Sequence, residues 1–457
     1  MAASPSTLSL MQNAMKVIFG QTAHDDIVAD HEFSSLFEAE MNIKTEDNTG
    51  GRYIEQAHWQ TLPAGAGFRL DGEYLPEPQT AQFFNSRIYL KKLLFSLSMS
   101  GDVMRRVTSD EGAFLDYAEQ ARPALIQRVN SQRDLAYIGT GTGLKARVDG
   151  PVLNNGDGTY TFAVMNHSGV SGYSDAWLAF LEGETIVFSS TAVFTALRNA
   201  GTGQYAQVTA IDEDNSRITV SCNATLGAAI QANDYIAEGD GAGYGAVDPT
   251  GNERAFAGVM AGDDDGGIVE VYNNVDRSLA ANRLFRSIII NPTNSSLSFT
   301  SGLTEDILDL AFRRTLVRGN GKPTAILTSH SQVTCYWRSL RGDRRFVDPA
   351  GNYEGGKGRL KIIVGDSAYD LRVARKLPPE VVFGIEPDTW ARLTLGDLTW
   401  DDITGSLWKQ VTDSTGVQDA YRANGWMYEQ LYCHGPRKNF RIDGLTPAES
   451  TTPVPES

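Results

Sequence analysis

The chain of 457 residues has little cysteine, little histidine and a deficit of positive charge. Its three cysteines, Cys222, Cys335 and Cys433, are odd in number and far apart. Neighbours in sequence therefore build neither a disulfide framework nor a CxxC metal site, and the thiols read as reduced, as in the cytosol. The six histidines, His24, His31, His58, His167, His330 and His434, form no HExxH and no His/Cys cluster, and no serine sits in a GxSxG turn. Long apolar runs are missing too: the densest, Ala192–Leu197 and Ile288–Ile290, are closed by polar residues, far short of the roughly 18 that a membrane span needs. The first basic residue is Lys16, with only a short apolar stretch after it, the wrong order for a secretory signal. Lys plus Arg is 40 against 56 Asp plus Glu, a formal charge of −16, which argues against a protein that coats nucleic acid or anionic membrane with its whole surface and leaves local basic patches open.

What is present is chain length and turn-formers. At roughly 100 to 200 residues per domain the length predicts two to four structural units, and 45 glycines with 21 % charged residues suit many turns and much strand. Up to residue 49 the apolar clusters (Met11, Met15, Ile18, Phe19, then Phe33, Leu36, Phe37) are too sparse for a core and read as an arm packed on something else. From Gly50 to Ser100 the chain reads as one long hairpin: RYIEQAHWQTL runs out to a turn-rich tip, PAGAGFRLDGEYLPEP, and QTAQFFNSRIYLKKLLFSLSMS runs back. Phe95, Leu97 and Met99 alternate there with Ser96, Ser98 and Ser100, the period of two of a strand with one wet face. An isolated strand pair is marginal in water, so this hairpin should lie on a neighbouring surface, such as another subunit.

Thr108 opens a capping box with Glu111, and Phe114, Tyr117, Ala118, Ala121, Leu125, Val129 and Leu135 recur at helical spacing to Gly139, with a bend at Pro123. Between 143 and 245, NNGDGTYTFAV and AQVTAIDEDNSRITVSC each place a polar turn between β-formers, predicting a small barrel or sandwich. Thr304 caps a second helix with Glu305 and Asp306 in its first turn, Ile307, Leu310 and Ala311 on one face, and Arg313, Arg314 and Arg318 before Gly319. KPTAILTS reads as a buried strand leading into the helix SQVTCYWRSL, then the loop DPAGNYEGGKG, the strands RLKIIVG, YDLRVA and EVVFGI, the extended run GWMYEQLYCHG and PRKNFRIDGL. The class is α+β rather than repeated βαβ. The closing TPAESTTPVPES reads as a disordered tail.

Candidate chemistry is sparse. Gly351, Gly356 and Lys357 match phosphate-loop spacing, but Gly358 stands where Ser or Thr must reach magnesium, and a strand rather than a helix follows, so this reads as a loop. Two glycine ladders, Gly139, Gly141, Gly143 and Gly239, Gly241, Gly243, Gly245, read as linkers flanking the β-rich segment. Asp263, Asp264 and Asp265 offer oxygen ligands for calcium but lack the spacing and closing Glu of a calcium loop, and read as a solvated turn. Arg105 with Arg106, Arg313 with Arg314, and Arg338, Arg341, Arg344 and Arg345 are basic spots that fit phosphates, acidic patches of a neighbouring subunit, or a solvated helix face. No catalytic, cofactor or metal residue is assigned.

The order of these segments, carried best by PTAILTSHSQVTCYWRSL with its loop and LKIIVG, and by YEQLYCHGPRKNFRIDGL, resembles the major capsid proteins of tailed bacteriophages, the Hong Kong 97 type fold shared with encapsulins and herpesvirus shell floors. The resemblance implies an α+β fold with an N-terminal arm (1–49), an E-loop (50–100), a P domain with spine helix (101–142), an inserted β-barrel-like domain (143–245), an A domain with adjoining P-domain parts (246–375), closing strands (376–445) and a disordered tail (446–457). It implies a non-enzymatic coat protein without cofactors, located in the virion, that assembles through hexamers and pentamers into an icosahedral head around double-stranded DNA. Trp59, Phe68, Arg69, Tyr74, Phe83 and Phe84 would then make E-loop contacts with a neighbour. Arg105, Arg106, Arg313, Arg314, Arg341, Arg344 and Arg345 would face the interior or pair across subunits. The implied partners are copies of itself, a portal protein, a separate scaffolding protein, a decoration protein and packaged DNA without sequence specificity, with no membrane. Between Gly50 and Leu90 there is no lysine, so the E-loop lysine cross-link of some relatives is not expected. An encapsulin-like cage shares the fold, and a soluble enzyme with a β accessory domain is the third alternative.

Overall fold

The computed structural model describes residues 44–47, 53–61, 66–71, 73–74, 77–78, 80–102, 113–166, 176–191, 194, 197–198, 205–239, 255–339, 361–364, 367–401, 408–413 and 416–448. The N-terminal arm up to residue 43, the capping box at Thr108, the loop 351–358 and most of the tail lie outside these residues. In chain order come β1 (Lys44–Asp47), β2 (Ile54–Thr61), β3 (Gln82–Ile88), β4 (Lys91–Ser100) and helix α1 (Ala113–Ile138). There follow β5 (Leu144–Asn154), β6 (Thr159–Asn166), β7 (Thr185–Ser189), β8 (Tyr205–Asp212), β9 (Arg217–Ser221), α2 (Ala224–Ala229) and β10 (Tyr235–Glu238). Then come α3 (Val259–Gly262), β11 (Val271–Tyr272), β12 (Val275–Asp276), β13 (Ile288–Ile290), α4 (Glu305–Gly319), β14 (Ala325–Thr328) and α5 (His330–Ser339). The chain ends on β15 (Lys361–Val364), β16 (Ser367–Val373), β17 (Val382–Ile385), β18 (Trp390–Trp400), β19 (Lys409–Asp413), β20 (Gly416–Cys433) and β21 (Phe440–Ile442). The class is α+β.

Two sheets carry the body. In the six-stranded sheet the order is β13-β21-β17-β14-β16-β15. Its strand β14 is buried on both faces, which is why AILT has no polar alternation. Ile326 points to one side, where Ile307, Leu308, Ala311 and Phe312 of α4 and Val333 and Tyr336 of α5 cover it. Ala325 and Leu327 point to the other, toward Tyr137 and Ile138 at the end of α1, with Trp390 and Leu431. The second sheet is built on β20, whose 18 residues span about 60 Å at strand rise. It pairs antiparallel with β18, β19 and β4, and β1 joins β18 in parallel.

The sequence assigns Lys91–Ser100 to the hairpin's return arm, and here the structure differs. The hairpin is β2 with β3, in register Ile54↔Ile88 to Thr61↔Gln82. Beyond Ile88 the chain leaves it, and β4 pairs with Ala420–Glu429 of β20. The alternation was real, but the wet and dry faces belong to the larger sheet, burying Phe95 and Met99.

Strands β10-β5-β6-β9-β8-β7 close into a barrel around Val148, Phe162, Phe188, Val208, Ile218 and Ile236. Its tight turns use the residues such turns need: Gly156 and Gly158 at φ +85° and +83°, and Asp157, which accepts from the Thr159 amide. The barrel meets the body through polar contacts. Gln132 of α1 donates to Glu238 at 2.6 Å, and Asn166 donates to Glu380 at 2.8 Å. Within the barrel, buried Lys145 pairs with Glu184 and lies 3.5 Å from the same Glu238. The first glycine ladder is no loose linker: Ala255 donates to Gly141 O, Gly258 donates to Gly139 O, and Thr140 bridges Ala257. Gly241, Gly243 and Gly245 lie outside the described residues.

Asp263 and Asp264, read from sequence as a solvated turn, are fully buried. They follow α3, whose last carbonyls have no partner inside so short a helix. Arg277 donates to Ala261 O and Gly262 O at 2.7 and 3.1 Å, and Arg441 of β21 donates to Asp263 O at 2.9 Å. Asp264 offsets these charges: its Oδ1 accepts from Arg441 at 3.0 Å, and its Oδ2 from the amides of Gly266, Ile268 and Val269. Burial opposes the charge on Asp264, yet Arg441, the Val269 amide and Arg277 together hold its carboxyl below the usual range. Asp263 goes the other way, pushed up to about 8 by burial. Gly262 is required because a Cβ would stand 2.4 Å from the Trp390 ring.

Two smaller differences concern chain ends. Helix α4 stops on Asn320, in the left-handed region at φ +50°, rather than on Gly319. The start of the tail is tied down, with Thr446 N donating to Phe299 O and Ala448 N to Ser331 Oγ. Removing the Asp264 carboxylate leaves buried Arg277 without its ion-pair partner and Arg441 with Asp443 alone, so Asp264→Ala should lower subunit stability by about 3–5 kcal/mol, read as a shift in the urea midpoint; a shift within the error of the melt would contradict the role given to Asp264.

Candidate interaction surface

The hairpin of β2 and β3 is anchored at its base and bare at its tip. At the base, His58 sits on Phe84 with ring centroids 5.2 Å apart and on Phe285 at 4.9 Å. Its Nε2 lies 2.9 Å from Ser86 Oγ and 2.8 Å from the Tyr432 hydroxyl of β20. Arg277 covers the Tyr272 and Phe285 rings at 4.4 and 5.6 Å, so the Asp264 cluster underlies the hairpin base. Burial, reinforced by His434, pushes His58 down to about 4. Edge pairing completes the anchor, with Arg87 N donating to Asn273 O at 2.9 Å.

Outward along the hairpin the cover ends. The rings of Trp59 and Phe83 meet at a tilt, centroids 4.2 Å apart, but remain 50 and 53 % exposed. Past them Phe68 and Tyr74 are 107 and 95 % exposed, and Leu70 is 77 % exposed. A tight turn shapes this tip: Glu73 N donates to Leu70 O, and Leu70 N to Glu73 Oε2. Asp71, Glu73 and Glu77 stand in water beside the apolar residues, with Arg69 the cation there. Five of the six aromatic or cationic residues singled out from sequence, Trp59, Phe68, Arg69, Tyr74 and Phe83, therefore face solvent, while Phe84 serves the chain's own core.

The basic residues divide. Arg105, Arg106, Arg341, Arg344 and Arg345 lie outside the described residues. Arg338 donates to Ala448 O at 3.1 Å. Arg314 donates to Asn294 O and Oδ1 at 2.8 and 3.2 Å, while Arg313 is exposed on α4. Sequence reading missed Arg283 and Arg437, which the fold brings to Arg318: Arg437 donates to Arg318 O at 2.6 Å and to Arg283 O at 2.9 Å. It also missed Glu429, buried between Arg133 of α1 at 2.9 Å and Arg392 of β18 at 2.5 Å. No local signal marks such residues, because their partners lie tens to hundreds of positions away. Among the described residues no group of three His, Cys, Asp or Glu side chains is placed to hold a metal ion.

No family model matches the chain, and no curated protein does. Among solved structures, a chain of the cyanophage A-1(L) capsid asymmetric unit is similar with a TM-score of 0.52 at 10 % identity, covering 93 % of this chain and 96 % of that one. A capsid chain of a native GTA particle gives 0.45 at 10 % identity over 97 and 100 % of the two chains. The holo-SrpI encapsulin of Synechococcus elongatus PCC 7942 gives 0.38 at 8 % identity over the full length of both. The first likeness is one of fold, and with the α+β architecture it agrees with the Hong Kong 97 type fold.

Because the folded pKa of His58 is about 4 against an ordinary 6.5, the unfolded or undocked hairpin binds the proton more tightly. Docking of the hairpin base should be complete above pH 6.5 and weaken as pH falls toward 4. Amide exchange of β2 and β3 should accelerate over that window in the native chain and stay flat in His58→Phe; identical pH profiles for the two would contradict it.

Proposed function

We propose that this chain is a major capsid protein of a tailed phage: a structural coat subunit, not an enzyme, that assembles through hexamers and pentamers into the icosahedral head shell around double-stranded DNA and resides in the virion. The observation that carries the reading is the hairpin tip, where Phe68, Leu70 and Tyr74 are almost wholly exposed on an arm anchored firmly at its base. A monomer has no reason to hold them there. Burying each contributes about 2 kcal/mol, and a closed shell repeats the contact at every copy, so assembly supplies stability that the lone subunit lacks. The fold shared with a cyanophage capsid chain supports the same reading.

In these terms residues 1–49 are the arm, 50–100 the E-loop, 101–142 the P domain with α1 as spine helix, 143–245 an inserted domain holding the barrel, 246–375 the A domain with adjoining P-domain parts, and 376–445 the closing strands. A formal charge of −16 suits a container whose genome must enter and leave, since a strongly basic lining would grip phosphates. DNA is then enclosed without sequence readout. A portal protein, a separate scaffolding protein and a decoration protein complete the proposed set of partners.

Deleting residues 63–78, the hairpin tip, should leave soluble, folded subunits that fail to close into shells, as judged by size-exclusion chromatography and electron microscopy. Normal particles from the deletion would sink the reading of the tip as an assembly contact. Particles loaded with a protein cargo in place of DNA would favour the cage alternative.

A further inference from the structure

Five arginines gather where three chain-distant segments close on one another. Arg313, Arg314 and Arg318 lie on α4, Arg283 in the 3-10 turn Ala280–Phe285, and Arg437 in the 3-10 turn Pro436–Lys438. Arg437 pins the cluster through the Arg318 and Arg283 carbonyls. The grouping works against itself: burial first, then Arg283 and Arg318, lowers the pKa of Arg437, and burial with Arg318 and Arg313 lowers that of Arg314. Among the described residues none of the five forms an ion pair with a carboxylate, and the nearby Glu386 is taken by Lys438 at 3.5 Å. In a chain with 56 acidic residues, such a cation cluster is held ready for an anion from outside.

The surroundings say what kind. Leu316, Val317 and Leu284 are 51, 78 and 37 % exposed beside these arginines. A phosphate backbone would engage the guanidinium groups and leave the apolar side chains wet. A partner that covers both must be acidic and apolar together. The hairpin tip has that composition, with Phe68, Leu70 and Tyr74 interleaved with Asp71, Glu73 and Glu77. Its near-complete exposure shows that it does not reach the patch of its own chain.

We propose that the basic and apolar patch of Arg283, Arg318, Arg437, Leu316 and Val317 receives the hairpin tip of an adjacent copy. This rests on the shell-subunit reading above and adds the receiving surface to it. Carboxylates and arginines set the register and speed the encounter, while the aromatic rings meeting Leu316 and Val317 provide the buried area.

The test is a charge swap in the full chain. Arg283→Glu with Arg318→Glu, and separately Asp71→Lys with Glu73→Lys, should each lower the yield of shells at least about tenfold in sedimentation and electron microscopy. The four changes together should restore it to within about threefold of the native chain. As a second measurement, Tyr74→Cys with Val317→Cys should give disulfide-linked oligomers on oxidation of assembled particles, which reads the contact even if the charge variants fold poorly. Native shells that assemble normally with the reversed patch, a combination that restores nothing, or absence of the cross-link would overturn the patch while leaving the shell reading in place. Intact shells that only lose affinity for DNA would reassign the patch to phosphate and overturn it too. A native chain that never assembles overturns both readings.

Discussion

The Asp264 carboxylate is the constraint on which the described body depends. It stands where a short helix ends in unpartnered carbonyls, where β21 enters the six-stranded sheet, and where the hairpin base rests. Two guanidinium groups meet there: Arg277, which without Asp264 would be an uncompensated buried charge, and Arg441, which Asp264 shares with Asp443. Arg441 carries the constraint into the sheet through its bonds to Asp263 O and Asp264 Oδ1, at 2.9 and 3.0 Å. Arg277 carries it outward, through Tyr272 and Phe285, to His58 and Phe84. Glu429 plays the corresponding part on the other side, clamped between Arg133 of the long helix and Arg392 of β18.

These two polar knots divide the molecule by function. Behind them lie continuous apolar cores on both faces of β14, which fix the sheets and the helices. Ahead of them the hairpin leaves the body with its aromatic side chains uncovered. A subunit built this way has a platform and a projecting arm whose tip none of the described residues covers. In the proposed shell the cost of holding Phe68 and Tyr74 in water is offset when another copy arrives, and that ties folding of the arm to assembly. The barrel belongs to neither part. Its core is separate, and it touches the rest through pairs such as Gln132 with Glu238 and Asn166 with Glu380.

The sequence was most legible where structure is local. Alternation in TYTFAVMN, the polar turns of the barrel, the unbroken apolar run AILT and the charge asymmetry of α4 all correspond to elements of the fold. It was least legible where the partner of a residue lies far along the chain. The period-two pattern at Phe95–Ser100 shows a strand but cannot say that β20, more than 300 residues on, is its neighbour. Asp263 and Asp264 read as part of a wet turn with exposed Asp265 because Arg277 and Arg441, which allow their burial, have no local signature. The same holds for the arginine cluster: Arg313 and Arg314 are a visible pair, but Arg283 and Arg437 join them only through packing. The exposed tip was found from composition, whereas the use of Phe84 inside the chain required the position of Phe285.

At the centre of the proposed shell stands an arm finished by another copy of the chain. Negative-stain electron microscopy of the full chain, expressed alone and with its neighbouring genes, tests it most directly. The account predicts hexamers, pentamers or closed shells. A monodisperse monomer in both preparations would contradict it.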